Sequence, residues 1–430
     1  MHPIDPDHEV DELLRFVDAS PTPFHAAAAA ADRLAAAGWT QVAEADAFDA
    51  DHQRAFTVRG GSVVAWDTST MEGPAAGFRV VGAHTDSPNL RLRPHADLVS
   101  AGWQQLAVEP YGGLLRNSWL DRDLGLAGRV AVRGPEGTQM RLFHDHSRLA
   151  RVPQVAIHLD RTQNDGLALN PQRHLTPVWG VGDAPGDVRA YLAEQVDVDP
   201  ADVLGLDVMF HPVEPSARIG REGELVAAPR LDNLATCHAA LTALLLSAGE
   251  RGRQGRVVVL FDHEEVGSTS ERGAMSTLLP SVLERLVLAA GGSREDHWRG
   301  LARTVIASGD MAHGTHPNYP ELHEPNHQVR VNGGPVLKIN TNLRYATDAV
   351  GEAAFRLACE EAGVPVQVFA ARADIPCGST VGPMTAARTG ATTVDFGAPV
   401  LSMHSARELG GAEDPAMYAG ALAAFLSPAG

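Results

Sequence analysis

The run Val257-Val-Val-Leu-Phe-Asp-His-Glu264-Glu265 joins five apolar residues, three of them β-branched, to a cluster of acids and a histidine. A short valine-rich run bounded by polar residues is the pattern of a buried strand, and the acidic pair then falls just past its carboxyl end. Three other stretches repeat the plan. Val80-Val-Gly-Ala-His84-Thr-Asp86, Val305-Ile-Ala-Ser-Gly-Asp310 and Val400-Leu-Ser-Met-His404 each place an acid or a histidine after a brief apolar run. Helical patterning over 232–248, 280–290 and 346–362 lies between them, and another helical stretch over 413–426 follows the last. Strands alternating with helices predict an α/β fold, with a mixed, largely parallel sheet flanked by helices.

Further out, the N-terminal part reads as helix over 9–17 and again over the alanine-rich 24–38, where Gly38 supplies a stop. Between 92 and 229 the rhythm breaks into proline, glycine and short alternating segments such as Gly128-Arg-Val-Ala-Val-Arg133. This stretch is expected to be an inserted, mostly β domain. Residues 1–91 and 230–430 then form one discontinuous catalytic domain.

A chain of 430 residues with 44% hydrophobic content has room for a large core and for two domains. No run approaches the roughly 20 apolar residues of a membrane span, and the N-terminus lacks a signal-peptide pattern, so no membrane partner and a cytoplasmic location are expected. A net charge of −18 argues against nucleic acid as a partner. Cys237, Cys359 and Cys377 are far apart and odd in number, which points to buried thiols and not to a disulfide framework. Lys338 is the only lysine; every other basic side chain is arginine. Under such a bias a surviving lysine marks either chance or a place where a compact ammonium is needed and a flat guanidinium does not fit.

In an open α/β sheet, sites form outside the carboxyl ends of the strands. Four runs therefore bring His84, Glu264 with Glu265, Asp310 and His404 to one rim. Pro229-Arg-Leu-Asp232-Asn adds an acid at the mouth of a long helix. Each segment alone has a bland reading, as a helix cap, a solvated acidic pair or a structural histidine. Together they make a mixed nitrogen and oxygen donor set that suits zinc, with cobalt or manganese also satisfied, and it is too large for one tetrahedral ion. Two ions sharing a carboxylate would use it all. Asp86, two residues past His84, fits a partner that fixes the imidazole. One of Glu264 and Glu265 would bind metal while its neighbour serves as general base, and spacing leaves open which does which.

These motifs match a known family. Residues 19–25 (Ala-Ser-Pro-Thr-Pro-Phe-His), Gly82-Ala-His-Thr-Asp-Ser-Pro88, Val155-Ala-Ile-His158-Leu, Asp262-His-Glu-Glu-Val-Gly267, Asp310-Met-Ala-His313, His316-Pro-Asn-Tyr319, Cys377-Gly-Ser-Thr380 and Met403-His-Ser-Ala-Arg407 together resemble the two-zinc aspartyl aminopeptidases over nearly the whole length. The resemblance implies a zinc-peptidase-like fold with Asp232 bridging two zinc ions, His84 and Asp310 on one, and Glu265 and His404 on the other. It names Glu264 as the base. It implies substrates with an acidic first residue, received by Lys338 with His313 and Tyr345. The insert would drive dimerisation, dimers would assemble into a tetrahedral dodecamer, and His158 would serve a neighbouring subunit's active site. Other readings are an aminopeptidase of neutral or basic specificity, an N-acyl amino acid deacylase, and a non-catalytic assembly protein held by its metals.

Overall fold

The computed structural model describes residues 4–250 and 252–428, which fall into two compact units. The larger comprises Met1–Asp86, Ser216–Met403 and Glu408–Gly430, and the smaller Ser87–Pro215 with His404–Arg407.

The larger unit is built on a nine-stranded sheet in the order Thr40–Gln41, Arg54–Arg59, Ser62–Asp67, Gly255–Phe261, Phe78–His84, Val305–Gly309, Thr392–Gly397, Val336–Ile339 and Gln367–Ala370. Its four central strands, from 255–261 to 392–397, run parallel. They are buried on both faces, which is why they read as near-continuous apolar runs. The fourth run of the sequence departs from the expectation. Pro399–Leu401 belongs to a separate five-stranded sheet with Ala217–Ile219, Leu225–Ala228, Glu408–Gly411 and Ala312–His313. Apolar content marks a strand but carries no information on which sheet it joins.

Helices cover the main sheet. Leu231–Ser247 is apolar on nearly every side and packs against the C-terminal helix Asp414–Leu426, so both are buried. The alanine-rich stretch forms the helix Pro23–Ala36, capped by Thr22 and followed by Gly38 at φ +83°. Ala349–Ala362 is capped by Asp348, whose side chain accepts from the N–H groups of Val350 and Gly351, and it stops at Gly363 in the left-handed region. Its Phe355 is fully buried, with its ring 4.2 Å from that of Phe396 on the sheet. Phe355→Ala should therefore lower unfolding stability by about 3–5 kcal/mol, read from a denaturant midpoint. A loss below about 1 kcal/mol would mean that this contact does not hold the helix. Two helices, Arg294–Leu301 and Val381–Thr389, lie outside the predicted ones because each is short.

The smaller unit is a six-stranded antiparallel sheet in the order Gly137–His144, Leu124–Gly134, Val203–Pro212, Asn89–Ser100, Trp103–Tyr111 and Val178–Val181. Leu90, Leu106, Leu126, Val130 and Phe210 form its core with Leu192 of the helix Val188–Gln195. It starts and ends earlier than the expected 92 and 229. The segments 217–219 and 225–228 look like more of the same β-rich text, but they pair within the larger unit. Among the described residues no helix is long and apolar enough to cross a membrane.

Candidate metal centre

His84 closes the 78–84 strand and is almost wholly buried. Its Nδ1–H donates to the backbone carbonyl of Asp86 at 2.9 Å, which leaves Nε2 as the nitrogen bearing the lone pair. Around Nε2 stand Asp232 Oδ1 at 3.4 Å, Asp310 Oδ1 at 3.6 Å and Glu264 Oε2 at 4.0 Å. The first two separations are long for hydrogen bonds. They lie close to the roughly 3.3–3.5 Å between donors that share one tetrahedral ion bound at about 2.0–2.1 Å. A second grouping of His84 with Glu264 and Glu265 lies within comparable reach. Four carboxylates against one imidazole is a set that calls for added positive charge. Without it, burial would lower the His84 pKa, yet Asp232, Asp310, Asp86 and Glu264 outweigh burial and hold it well above the usual imidazole range. The donor chemistry thus fits a divalent ion.

Each candidate ligand is held by its own local device. Asp232 has extended rather than helical backbone angles (φ −82°, ψ 102°) at the mouth of the 231–247 helix, and its N–H donates to Glu408 Oε2 at 2.9 Å. The next residue, Asn233, donates from its side chain to the Gly309 carbonyl at 2.8 Å, tying this corner to the end of the 305–309 strand. Asp310 follows that strand directly and donates its N–H to the Phe396 carbonyl. Glu264 and Glu265 sit on the single turn Glu264–Val266, entered through His263 and left through Gly267, both with positive φ. Asp86 clamps this turn, its two carboxylate oxygens accepting from the N–H groups of Glu264 at 3.0 Å and Glu265 at 3.1 Å. The expected duty of Asp86 is thereby divided. Its carbonyl takes the hydrogen bond from His84, and its carboxylate holds the glutamates. Burial raises the Glu264 pKa, His84 opposes, and Asp310, Asp86 and Asp232 raise it further, so its carboxyl stands above the ordinary range.

Lys338 is buried on the 336–339 strand, its Nζ 3.7 Å from Asp310 Oδ2 and 5.3 Å from the centre of the Tyr345 ring. Tyr345 and His313 line a neighbouring cavity of about 340 Å³ whose other walls include Phe369, Ile375, Leu401 and Cys377. None of the candidate ligands lines it. Of the thiols, Cys237 and Cys359 are buried while Cys377 is half-exposed, so one of the three departs from expectation. Cys237 donates to the His84 carbonyl at 3.0 Å.

The remaining two predicted residues stand in the smaller unit. His404 begins the 404–407 segment directly after Met403, and its Nδ1 donates to the Gly113 carbonyl at 3.1 Å. His158 is exposed in a turn at 157–159, beside Leu159, which is 82% exposed. Sequence reasoning missed Glu408, Asn233 and Asp395. A charged residue inside an apolar strand run, as in Thr392-Thr-Val-Asp-Phe-Gly397, was the available signal for the last of them.

Comparison with known proteins places the chain in a family. The profile of the family described as Aminopeptidase I zinc metalloprotease (M18) matches residues 16–426. A relative named probable M18 family aminopeptidase 2 from Mycobacterium leprae is 53% identical over 419 residues, covering 97% of this chain and 98% of its own. Among solved structures, one from a complex of Ape4 and Nbr1 is 34% identical with a TM-score of 0.94, over 99% of this chain and 87% of that one. Another, the mApe1 dodecamer of S. cerevisiae, is 27% identical with a TM-score of 0.84, over 97% and 96%. With the family profile spanning nearly all of its length, this chain belongs to the M18 family of zinc metalloproteases and is an aminopeptidase.

Proposed function

We propose that the chain removes an acidic first residue, Asp or Glu, from peptides at a two-metal centre. The observation that carries this reading is the buried ammonium of Lys338 beside Asp310, within the same cluster as His84, Asp232 and Glu264. His84 and Asp310 would hold one ion, Glu265 and His404 the other, with Asp232 shared between them. When bound, the ions supply Lewis-acid polarisation and acidify a water. Glu264 is the residue that would take a proton from the attacking water and return it to the departing amine.

Lys338 receives the carboxylate of the first side chain, with Tyr345 and His313 forming the wall beside it. A protein of net charge −18 repels acidic peptides at long range, so recognition depends on this local cation. The smaller unit carries dimer contacts, dimers assemble into a dodecamer, and the exposed His158 reaches a neighbouring subunit's site. Exposure of His158 and Leu159 supports an intermolecular role, because neither is used within its own unit's core. The enzyme works in the cytoplasm.

The test is kcat/KM on Asp-, Glu-, Leu- and Lys-anilides and on N-acetyl-Asp, with zinc, manganese or cobalt added. The reading expects Asp and Glu to lead and the acylated amine to be refused. Lys338→Ala should then lower kcat/KM for Asp- and Glu-anilides by about a hundredfold, the worth of a charged contact, and spare Leu-anilide. An equal loss on both would remove Lys338 from the pocket.

A further inference from the structure

Asp395 lies in the middle of the 392–397 strand and is fully buried. A carboxylate in such a place is tolerable only if donors surround it. Three do, each from a different segment. Ser308 Oγ and Thr380 Oγ1 donate to its Oδ1 at 2.6 and 2.5 Å, and the Ala346 N–H donates to its Oδ2 at 2.6 Å. All three bonds run toward the acid, so it acts as an acceptor throughout.

The three donors lead to the parts of the centre that have to agree in position. Ser308 is two residues before Asp310, in the strand that leads into it. Ala346 follows Tyr345, whose ring lies against Lys338. Thr380 closes the Cys377-Gly-Ser-Thr380 segment that walls the cavity, and it caps the 381–389 helix. Strand register places the acid in line with the same groups. Ser308 pairs with Asp395 on one side, and on the other Leu337 faces Phe396 antiparallel, so the next step along brings Lys338 level with Asp395. The charge of Lys338 acts on Asp395 and offsets part of the upward push that burial gives its pKa.

We infer that Asp395 is a positioning residue for the first-residue pocket, fixing Tyr345 and Lys338 relative to the metal ligand Asp310. This rests on the reading of Lys338 as the group that receives an acidic side chain. Asparagine at this position would present an amide N–H₂ to at least one of the three donors, leaving a hydroxyl or the Ala346 N–H without its acceptor. The loop bearing Tyr345 would shift, and the ammonium with it. Gly382 offers an independent route to the same shift, because a Cβ there would stand 2.2 Å from Asp395 Oδ2.

The experiment compares Asp395→Asn and Gly382→Ala with the parent on Asp-anilide and Leu-anilide, with metal content measured in each. The expected result is a loss of about tenfold or more in kcat/KM on Asp-anilide, chiefly through KM, with metals retained and a much smaller loss on Leu-anilide. Gly382→Ala keeps the charge, so agreement between the two variants identifies position as the cause. If either variant fails to fold, Ser308→Ala removes a single donor, and its loss should show the same selectivity. Equal losses on both substrates, or a rise in preference for Asp from removing a charge near Lys338, would overturn the inference. Lys338→Ala separates the two claims. If it hits both substrates alike, the acidic-pocket reading falls; if it is selective while Asp395→Asn is not, only the role of Asp395 falls.

Discussion

Replacing Glu264 by glutamine should leave the metal content of the protein unchanged and lower kcat on Asp-anilide by about 10²–10⁴-fold, the usual worth of a general base. The substitution is nearly isosteric, and the two N–H groups that Asp86 grips belong to the backbone, so the turn at 264–266 should keep its shape. The side chain of Glu264 is the more distant of the carboxylates around His84 Nε2, at 4.0 Å against 3.4 and 3.6 Å for Asp232 and Asp310. That is the position of a group that serves the reaction more than the ion. KM should change little, because glutamine still fills the space and only the proton acceptor is gone. Near-parent turnover in this variant would assign the base elsewhere. Loss of an ion along with turnover would make Glu264 a ligand.

Much of the candidate centre was legible in the sequence because its candidate ligands follow strands, and strands announce themselves. His84, Glu264, Glu265 and Asp310 each stand just past a valine-rich run, and three such runs are central parallel strands of the main sheet. His404 also follows an apolar run, but that run lies in another sheet, since what selects a strand's neighbours is long-range pairing and not local composition. The supports were less visible. Glu408 reaches Asp232 across 176 positions of sequence, and Ser308 and Thr380 meet Asp395 across 87 and 15. Such bonds leave no spacing to read; a buried acid in an apolar strand was the only trace. The lone lysine was visible as a compositional oddity, and its burial beside Asp310 supplies the physical reason a compact ammonium stands there.

Asp232→Ala should empty the centre of metal. If Asp232 bridges two ions, its loss removes a ligand from both at once and leaves their like charges unscreened, so neither would survive dialysis. His84→Ala should act unevenly, releasing the ion shared with Asp310 and leaving the one assigned to Glu265 and His404 more tightly held. Even the loss of a group one step behind the ligands lowers metal affinity by about 10–100-fold, and the loss of a shared ligand exceeds that. Zinc counted per chain by elemental mass spectrometry then reads the arrangement directly: two in the parent, near zero for Asp232→Ala, and near one for His84→Ala. Activity should be absent in both variants. A parent with one zinc per chain, or an Asp232→Ala protein that retains one, would reduce Asp232 to a ligand of a single ion. The cluster would then be a mononuclear site with an excess of carboxylates, whose surplus acids need a partner of another kind.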